Sequence, residues 1–454
     1  MSATIAKRWR ELSGQNHWNG LLKPLDNDMR QYLIHYGDLT QATYDTFIRE
    51  NSSQYAGGSQ FPMNGLLAGA GMQGKNNPLM KYKVTKYIYA TTDGQSGGNF
   101  MTRSTAPNPW SNNSNWMGYV AVTTDDGKKL MGRRDIVVAW RGTLLPQEWQ
   151  RDFEANLVPA KNVIKGGGNP MVHQGFLSVY TSSNPGSQYT KKSARDQATG
   201  EVHRLIEQYK NEEMSVTVVG HSLGAALATL CAGDIVSNGI AGPKLEWAKR
   251  GIVVTAFPYA SPRVGNREYR QALDNLGVGS NSPAQTENED GMGSVLAAAK
   301  GGGKLRILRI VNQPDPIPTT PPTLANYTHV GQLFEINSTS SPYMPGIQGT
   351  GVAHDLEVYI HGIQQSRGSI VAETDAGPRR PGSPGPFQVY TPRDFSLVNK
   401  HVDGLKPEYL VAPNWWVGQN KGMTQQPDGK WVNSAGSWIM HERPSDEDEN
   451  EREE

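Results

Sequence analysis

Residues 215–232 read SVTVVGHSLGAALATLCA, and within them Gly220-His221-Ser222-Leu223-Gly224 is a G-x-S-x-G pentapeptide. A serine hydroxyl is a poor nucleophile until a base takes its proton and a third group orients that base. Alone the pentapeptide is a glycine-rich turn. It becomes a nucleophile's seat when a strand precedes it and a helix follows, because the strained turn between them lifts the hydroxyl clear of the backbone. Both flanks are predicted here. Val216 to Val219 is a β-branched run, and Leu223 to Ala232 is rich in Ala and Leu. The glycines keep neighbouring side chains from colliding in the turn. The helix start then aims free N–H groups at a nascent oxyanion. The chemistry these residue types allow is nucleophilic attack on an acyl carbon.

The remaining parts must come from elsewhere in the chain, in the order serine, acid, histidine. Arg309 to Pro318, RIVNQPDPIP, puts Asp315 just past a predicted strand, in a loop stiffened by prolines. A carboxylate there lies at the C-terminal edge of a parallel sheet, where such sites collect. Five histidines follow it: His329, His354, His361, His401 and His441. His354 stands after the Gly-rich stretch Gly346 to Gly351 and at the head of a helix-like run to His361, a loop position from which an imidazole can reach both serine and aspartate. His361 lies deep in that run, and His329 is predicted on a strand leading away from the Asp315 loop. His401 and His441 lie beyond a Gly/Pro-rich stretch. For the oxyanion, Ile136 to Thr143 reads as a strand ending in Arg-Gly-Thr. Thr143 and Leu223 are the candidate backbone donors.

The elements that hold these residues alternate. Strands are predicted at Trp116 to Val122, Ile136 to Trp140, Val216 to Val219, Ile252 to Phe257 and Leu305 to Val311. Helices are predicted over Asp28 to Ile48 and over Thr199 to Lys210, where Val202, Leu205, Ile206 and Tyr209 fall at helical spacing. Such alternation predicts a mostly parallel α/β sheet. Four regions separate: a helical start over 1–85, a core over 86–370 with a Gly/Ser/Asn-rich insertion at 277–303, a Gly/Pro-rich segment at 371–392, and an extension over 393–454 with an acidic end. Leu144 to Trp149, with Phe153, Leu157 and Val158, is an apolar stretch suited to a lid.

Composition narrows the setting. Of 454 residues, Lys+Arg number 44 and Asp+Glu 43, so no global charge pulls the chain to nucleic acid or anionic lipid. One cysteine, Cys231, allows no internal disulfide, fits a reducing compartment, and reads as a small buried hydrophobe. No apolar run is long enough to span a membrane, and the start lacks a secretory apolar core. A cytoplasmic protein with at most peripheral lipid contact is expected. No cluster of His, Asp and Glu has metal-ligand spacing.

The pentapeptide joins other ordered segments: IAKRWRELSG (5–14), GLLKPLD (20–26), YGDLTQATYDTF (36–47), SNWMGYVAV (114–122), VVAWRGT (137–143), VHQGFLSVY (172–180), ASPRVGN (260–266), RIVNQPDPIP (309–318), HDLEVYIHG (354–362) and LVNKHVDGLKPEYLVAPNWW (397–416). Together they resemble the class 3 lipases of the alpha/beta-hydrolase fold, and among these the cytosolic plant phospholipases A1. That resemblance covers nearly the whole chain. It implies a triad of Ser222, Asp315 and His354, an oxyanion hole at Thr143 and Leu223, and no cofactor. It further implies cleavage of the sn-1 ester of phospholipids at a membrane or micelle surface. A carboxylesterase or mono- or diacylglycerol lipase would share every motif. A catalytically silent, lipase-like signalling protein would share the fold but has no need of the complete residue set. The long insertion and the acidic end depart from the family pattern.

Overall fold

The β-branched runs of the sequence become the middle of one sheet. In a computed structural model the described residues are 3–72, 77–92, 102, 105, 114–143, 155–165, 168–239, 252–277, 305–366, 393–416, 423–425 and 431–433. Among them a seven-stranded sheet has the order β1-β2-β3-β6-β7-β8-β9. Its strands are β1 (Tyr82–Ala90), β2 (Asn115–Thr123), β3 (Arg134–Trp140), β6 (Met214–His221), β7 (Val253–Tyr259), β8 (Leu305–Asn312) and β9 (Gln332–Ile336). A small separate pair is formed by β4 (Leu157–Pro159) and β5 (Met171–His173). From β3 to β9 all neighbours are parallel, while β1 and β2 make an antiparallel edge. This is the mostly parallel α/β sheet expected from the alternation of elements, and the α/β-hydrolase arrangement that the resemblance implies.

Period-two geometry decides which side each strand residue covers. Ile136, Val138 and Trp140 of β3 pack on one face, with Val216 and Val218 of β6. On that face lie α3 (Ala194–Gln208), through Val202 and Leu205, and α4 (Leu223–Asn238). Val137, Ala139 and Val219 point to the other face. There α2 (Asn27–Asp45) brings Met29, Tyr32, Leu33 and Tyr36, and α5 (Leu356–Gln365) brings Tyr359 and Ile360. Each such large apolar side chain stabilises the fold by about 1.5–3 kcal/mol, which is why strands buried on both faces read as continuous apolar runs. The helices start where their caps dictate. The Asp26 carboxylate accepts from Met29 N–H at 3.0 Å to open α2, and the Ser193 hydroxyl caps α3.

The first strand, Tyr82–Ala90, runs across residue 85, and α2 of the helical start packs on the sheet. Neither β1 nor β9 is announced by the spacing of apolar residues. The strand expected at His329 is absent. Thr328 makes one isolated bridge to Gly265, and left-handed residues at Asn326 (φ 64) and Gly331 (φ 69) bend the chain on either side of the histidine. The extension docks against the end of α2: Lys400 Nζ and His401 Nε2 bond the Asp45 carboxylate at 2.6 and 2.8 Å, and Trp416 Nε1 donates to the Asp45 carbonyl at 2.8 Å. No described helix is long and apolar enough to cross a membrane. The apolar stretch Leu144 to Trp149 with Phe153, the insertion from residue 278 on, the segment 371–392, His441 and the acidic end lie outside the described residues. Leu157 and Val158 form part of β4.

Candidate active site

The pentapeptide occupies the turn from β6 to α4. Ser222 sits at φ 59, ψ −125, a region non-glycine residues rarely adopt, at a cost on the order of 1–3 kcal/mol. The fold holds it there. Ser222 N–H donates to the Tyr259 carbonyl of β7 at 3.0 Å, and glycines permit the approach of backbone on both sides. A Cβ at Gly220 would lie 2.1 Å from the Gly224 carbonyl oxygen, and one at Gly224 would lie 2.3 Å from the Trp140 carbonyl oxygen. The strand end carrying Thr143 lies alongside, since a Cβ at Gly142 would meet the Ser222 Cβ at 3.1 Å. Leu223 is the first residue of α4, where backbone N–H groups have no carbonyl a turn back to bond.

Asp315 follows β8 and is fully buried. One carboxylate oxygen accepts from Ile317 N–H at 2.9 Å; the other meets His354 Nδ1 at 2.7 Å and Tyr359 Oη at 2.6 Å. Burial first, and then the Asp315 charge, push the Tyr359 phenol well above its ordinary value, so it remains a donor. His354 lies between the short helix Thr350–Ala353 and α5, whose cap is the neighbouring Asp355. The Asn312 side-chain amide, donating to the Ala353 carbonyl at 2.9 Å, ties that junction to β8. With Nδ1 bound to the carboxylate, the imidazole presents Nε2 on its other side. His354 Nε2, Ser222 Oγ and Thr143 Oγ1 are all buried and have no hydrogen-bond partner.

Among the described residues, two of the other candidate histidines are bound elsewhere, and His441 lies outside them. His361 Nε2 bonds Ser341 Oγ at 2.7 Å, and burial pulls its pKa down to about 4. His401 is bound to Asp45 and Arg49, and burial holds His329 well below its ordinary value. Cys231 is buried, and that burial pushes its thiol up to about 12, as an inert core residue requires. Among the described residues no group of three or more His, Cys, Asp or Glu is placed to hold a metal ion.

Three neighbours of the site lie inside its motifs but carry no role in the sequence reading: Tyr359, Asn312 and His221. The ring of His221, inside the pentapeptide itself, packs 4.7 Å from that of His354.

Comparison with known proteins identifies the family. The model of the family "Lipase (class 3)" matches residues 137–325. The chain is 44% identical over 445 residues to phospholipase A1-IIgamma of Arabidopsis thaliana, covering 98% of this chain and 95% of that protein. It is 42% identical over 429 residues to phospholipase A1-II 1 of Oryza sativa subsp. indica, covering 94% and 95%. Among solved structures, a Rhizomucor miehei lipase–propeptide complex aligns with a TM-score of 0.43 at 18% identity over 70% of each chain. Through its near full-length likeness to the type II plant enzymes, the chain belongs to the class 3 lipase family.

Proposed function

We propose that this protein is a phospholipase A1, cleaving the sn-1 ester of phospholipids to a lysophospholipid and a free fatty acid. Ser222 is the nucleophile, His354 the base and Asp315 its orienting carboxylate. The observation that carries this reading is the pattern of satisfied and open atoms. His354 Nδ1 is fixed by a buried carboxylate, while His354 Nε2 and Ser222 Oγ are buried and unpartnered. Open buried atoms occur elsewhere in the described core, Trp116 Nε1 and Tyr269 Oη among them, but here they belong to a nucleophile's hydroxyl and to an imidazole oriented by a carboxylate. The relatives' name, phospholipase A1, supports the substrate class.

In this mechanism the Ser222 proton passes to His354 Nε2 as Oγ bonds the ester carbonyl carbon. The tetrahedral oxyanion is met by the Thr143 and Leu223 N–H groups; losing one such donor costs about 2.7–4 kcal/mol. Collapse breaks the bond to the glycerol oxygen, which leaves with the proton from His354. Water then repeats the sequence on the acyl-enzyme and releases the fatty acid. No cofactor enters these steps. The substrate is met at a membrane or micelle surface by peripheral contact, in the cytoplasm.

The test joins two measurements. Ser222→Ala should stay folded, and lose both turnover and labelling by a fluorophosphonate. Wild-type protein given a phosphatidylcholine with different chains at its two positions should release the sn-1 acid first. Persistent labelling of another serine overturns the site. Dominant sn-2 release, or activity confined to neutral glycerides or short esters, favours an acylglycerol lipase or carboxylesterase instead.

A further inference from the structure

The proposed donors, nucleophile and base come from separate stretches of chain, and one side chain touches the supports of all of them. Tyr44 belongs to α2, a helix that packs on the sheet and carries none of the proposed catalytic groups. Its hydroxyl bonds His221 Nδ1 at 2.7 Å. The opposite nitrogen, His221 Nε2, lies 2.8 Å from the His354 backbone carbonyl. A carbonyl only accepts, so Nε2 carries the proton and donates. Burial, and His354 beside it, hold the His221 pKa well below the ordinary value, so the ring is neutral. Its Nδ1 is then an acceptor, and the Tyr44 hydroxyl must donate to it.

The same hydroxyl reaches the oxyanion strand. A Cβ at Gly142 would lie 2.1 Å from Tyr44 Oη, so the phenol fills the space a side chain would take. The Gly142 backbone amide lies close enough to the phenol to favour its ionised form, against the larger opposing effect of burial. On its other side the Gly142 carbonyl accepts from the Arg141 guanidinium at 2.7 Å, and that guanidinium lies 3.7 Å from the centroid of the Phe47 ring. In a trans peptide the carbonyl and the following N–H point opposite ways. Fixing the Gly142 carbonyl towards Arg141 therefore fixes the Thr143 N–H away from it.

We propose that Tyr44 is a positioning residue of the hydrolase. It registers the oxyanion strand, at Gly142, against the general base, at His354, through the imidazole of His221. The proposal rests on the assignment of Ser222, His354 and Thr143 above. A phenol anchored on a helix beneath the sheet is suited to this, because α2 is buried along most of its length. Asp45, the next residue, is held by Lys400 and His401, so the extension steadies the end of α2 from which Tyr44 projects.

The test is Tyr44→Phe in the full-length protein, assayed on phosphatidylcholine in detergent micelles well below each variant's Tm. This variant keeps the ring and removes one oxygen. It leaves His221 Nδ1 without its partner and opens the space beside Gly142 that the hydroxyl fills. Misplacement of catalytic groups on this scale lowers rates by roughly a hundredfold. The loss should fall on kcat, with KM little changed, and the rate of fluorophosphonate labelling of Ser222 should drop in parallel. A second variant, His221→Asn, cuts the link one bond further on and should show the same split. Combined, the two should cost no more than about the larger single loss, since both break one chain of contacts. Wild-type kcat in Tyr44→Phe, a loss confined to KM, or fully additive losses would each overturn the proposal. Ser222→Ala, run alongside, separates this outcome from failure of the active-site reading: activity surviving in Ser222→Ala indicts the site, and activity surviving in Tyr44→Phe alone indicts the positioning role.

Discussion

Two buried polar clusters sit along α2, one at each end of the central strands β3 and β6, and they differ in what they leave open. At the start of β3 and β6, Asp135 accepts from Ser215 and Thr217 at 2.7 and 2.9 Å and from Tyr36 and Tyr82 at 2.8 Å each. Arg133 beside it donates to Tyr32, Tyr36, Ser215 and the Met131 carbonyl. No side-chain atom of these residues is left without a partner. At the far end of the same strands lie Ser222, His354 and Thr143, each with a buried atom that bonds nothing. Both clusters are built from residues that dislike burial. The first is saturated and contributes to the fold, because each lone pair and proton is matched in a low-dielectric interior. The second keeps chemistry available at a cost in stability.

That contrast breaks if activity and stability fail together, and mutations at the two ends separate them. Asp315→Asn should cost the most: about 10⁴-fold in kcat, by analogy with other triads whose carboxylate is neutralised, with Tm close to wild type. Steady-state kinetics on the folded variant decides it, and near-normal turnover would remove Asp315 from the site. Asp135→Ala should do the reverse. Stranding the buried Arg133 charge should cost about 3–5 kcal/mol in urea unfolding, while kcat per folded molecule is retained. A large kcat loss there would mean the two clusters are not separable. His361→Ala comes next. It removes a buried bond to Ser341 worth about 1 kcal/mol and should leave turnover within a modest factor of wild type. If instead it abolishes activity, the choice of His354 as base is wrong.

The smallest effect concerns Asp355, which follows His354. Burial, together with Glu357 and Asp45, pushes its carboxyl up to about 7. A carboxyl that ionises later in the fold than in the unfolded chain gives stability that is complete below its unfolded value, about 4, and lost as pH rises to about 7. The wild-type Tm should therefore decline over that window. Asp355→Asn keeps an oxygen to cap α5 and should flatten the decline, as thermal melts at successive pH values would record. An equally steep decline in the variant places the titration elsewhere. Tyr44 and Arg49 are the other charged or titratable groups that feel this carboxyl.

Much of the architecture is local and therefore readable. Runs such as DIVVA and VTVV bury both faces, so their type follows from composition alone, and β3 and β6 extend only a residue or two beyond the predicted bounds. β1 escapes notice because its sequence, YKVTKYIYA, mixes lysines with aromatics at an edge where one face meets helix and loop. The lone strand predicted at His329 misleads because apolar and β-branched residues there lie between two left-handed turns that only the packed chain reveals.

The sequence by itself determined the parts of the chemistry: a serine between glycines, a strand before it, a helix after it, an acid past the next-but-one strand, and a list of histidines. It pointed to His354 by position and by resemblance, but left open how that histidine meets the acid and what holds the pieces in register. Those depend on pairs far apart along the chain. His354 meets Asp315 across 39 residues, and Tyr44 meets His221 across 177. No periodicity links such positions, because the path between them is set by loop lengths, sheet order and helix docking. Only the folded chain brings α2 under β6 and turns the junction before α5 towards β8, and there hydrogen-bond geometry, which tolerates errors of only a few tenths of an ångström, makes the selection.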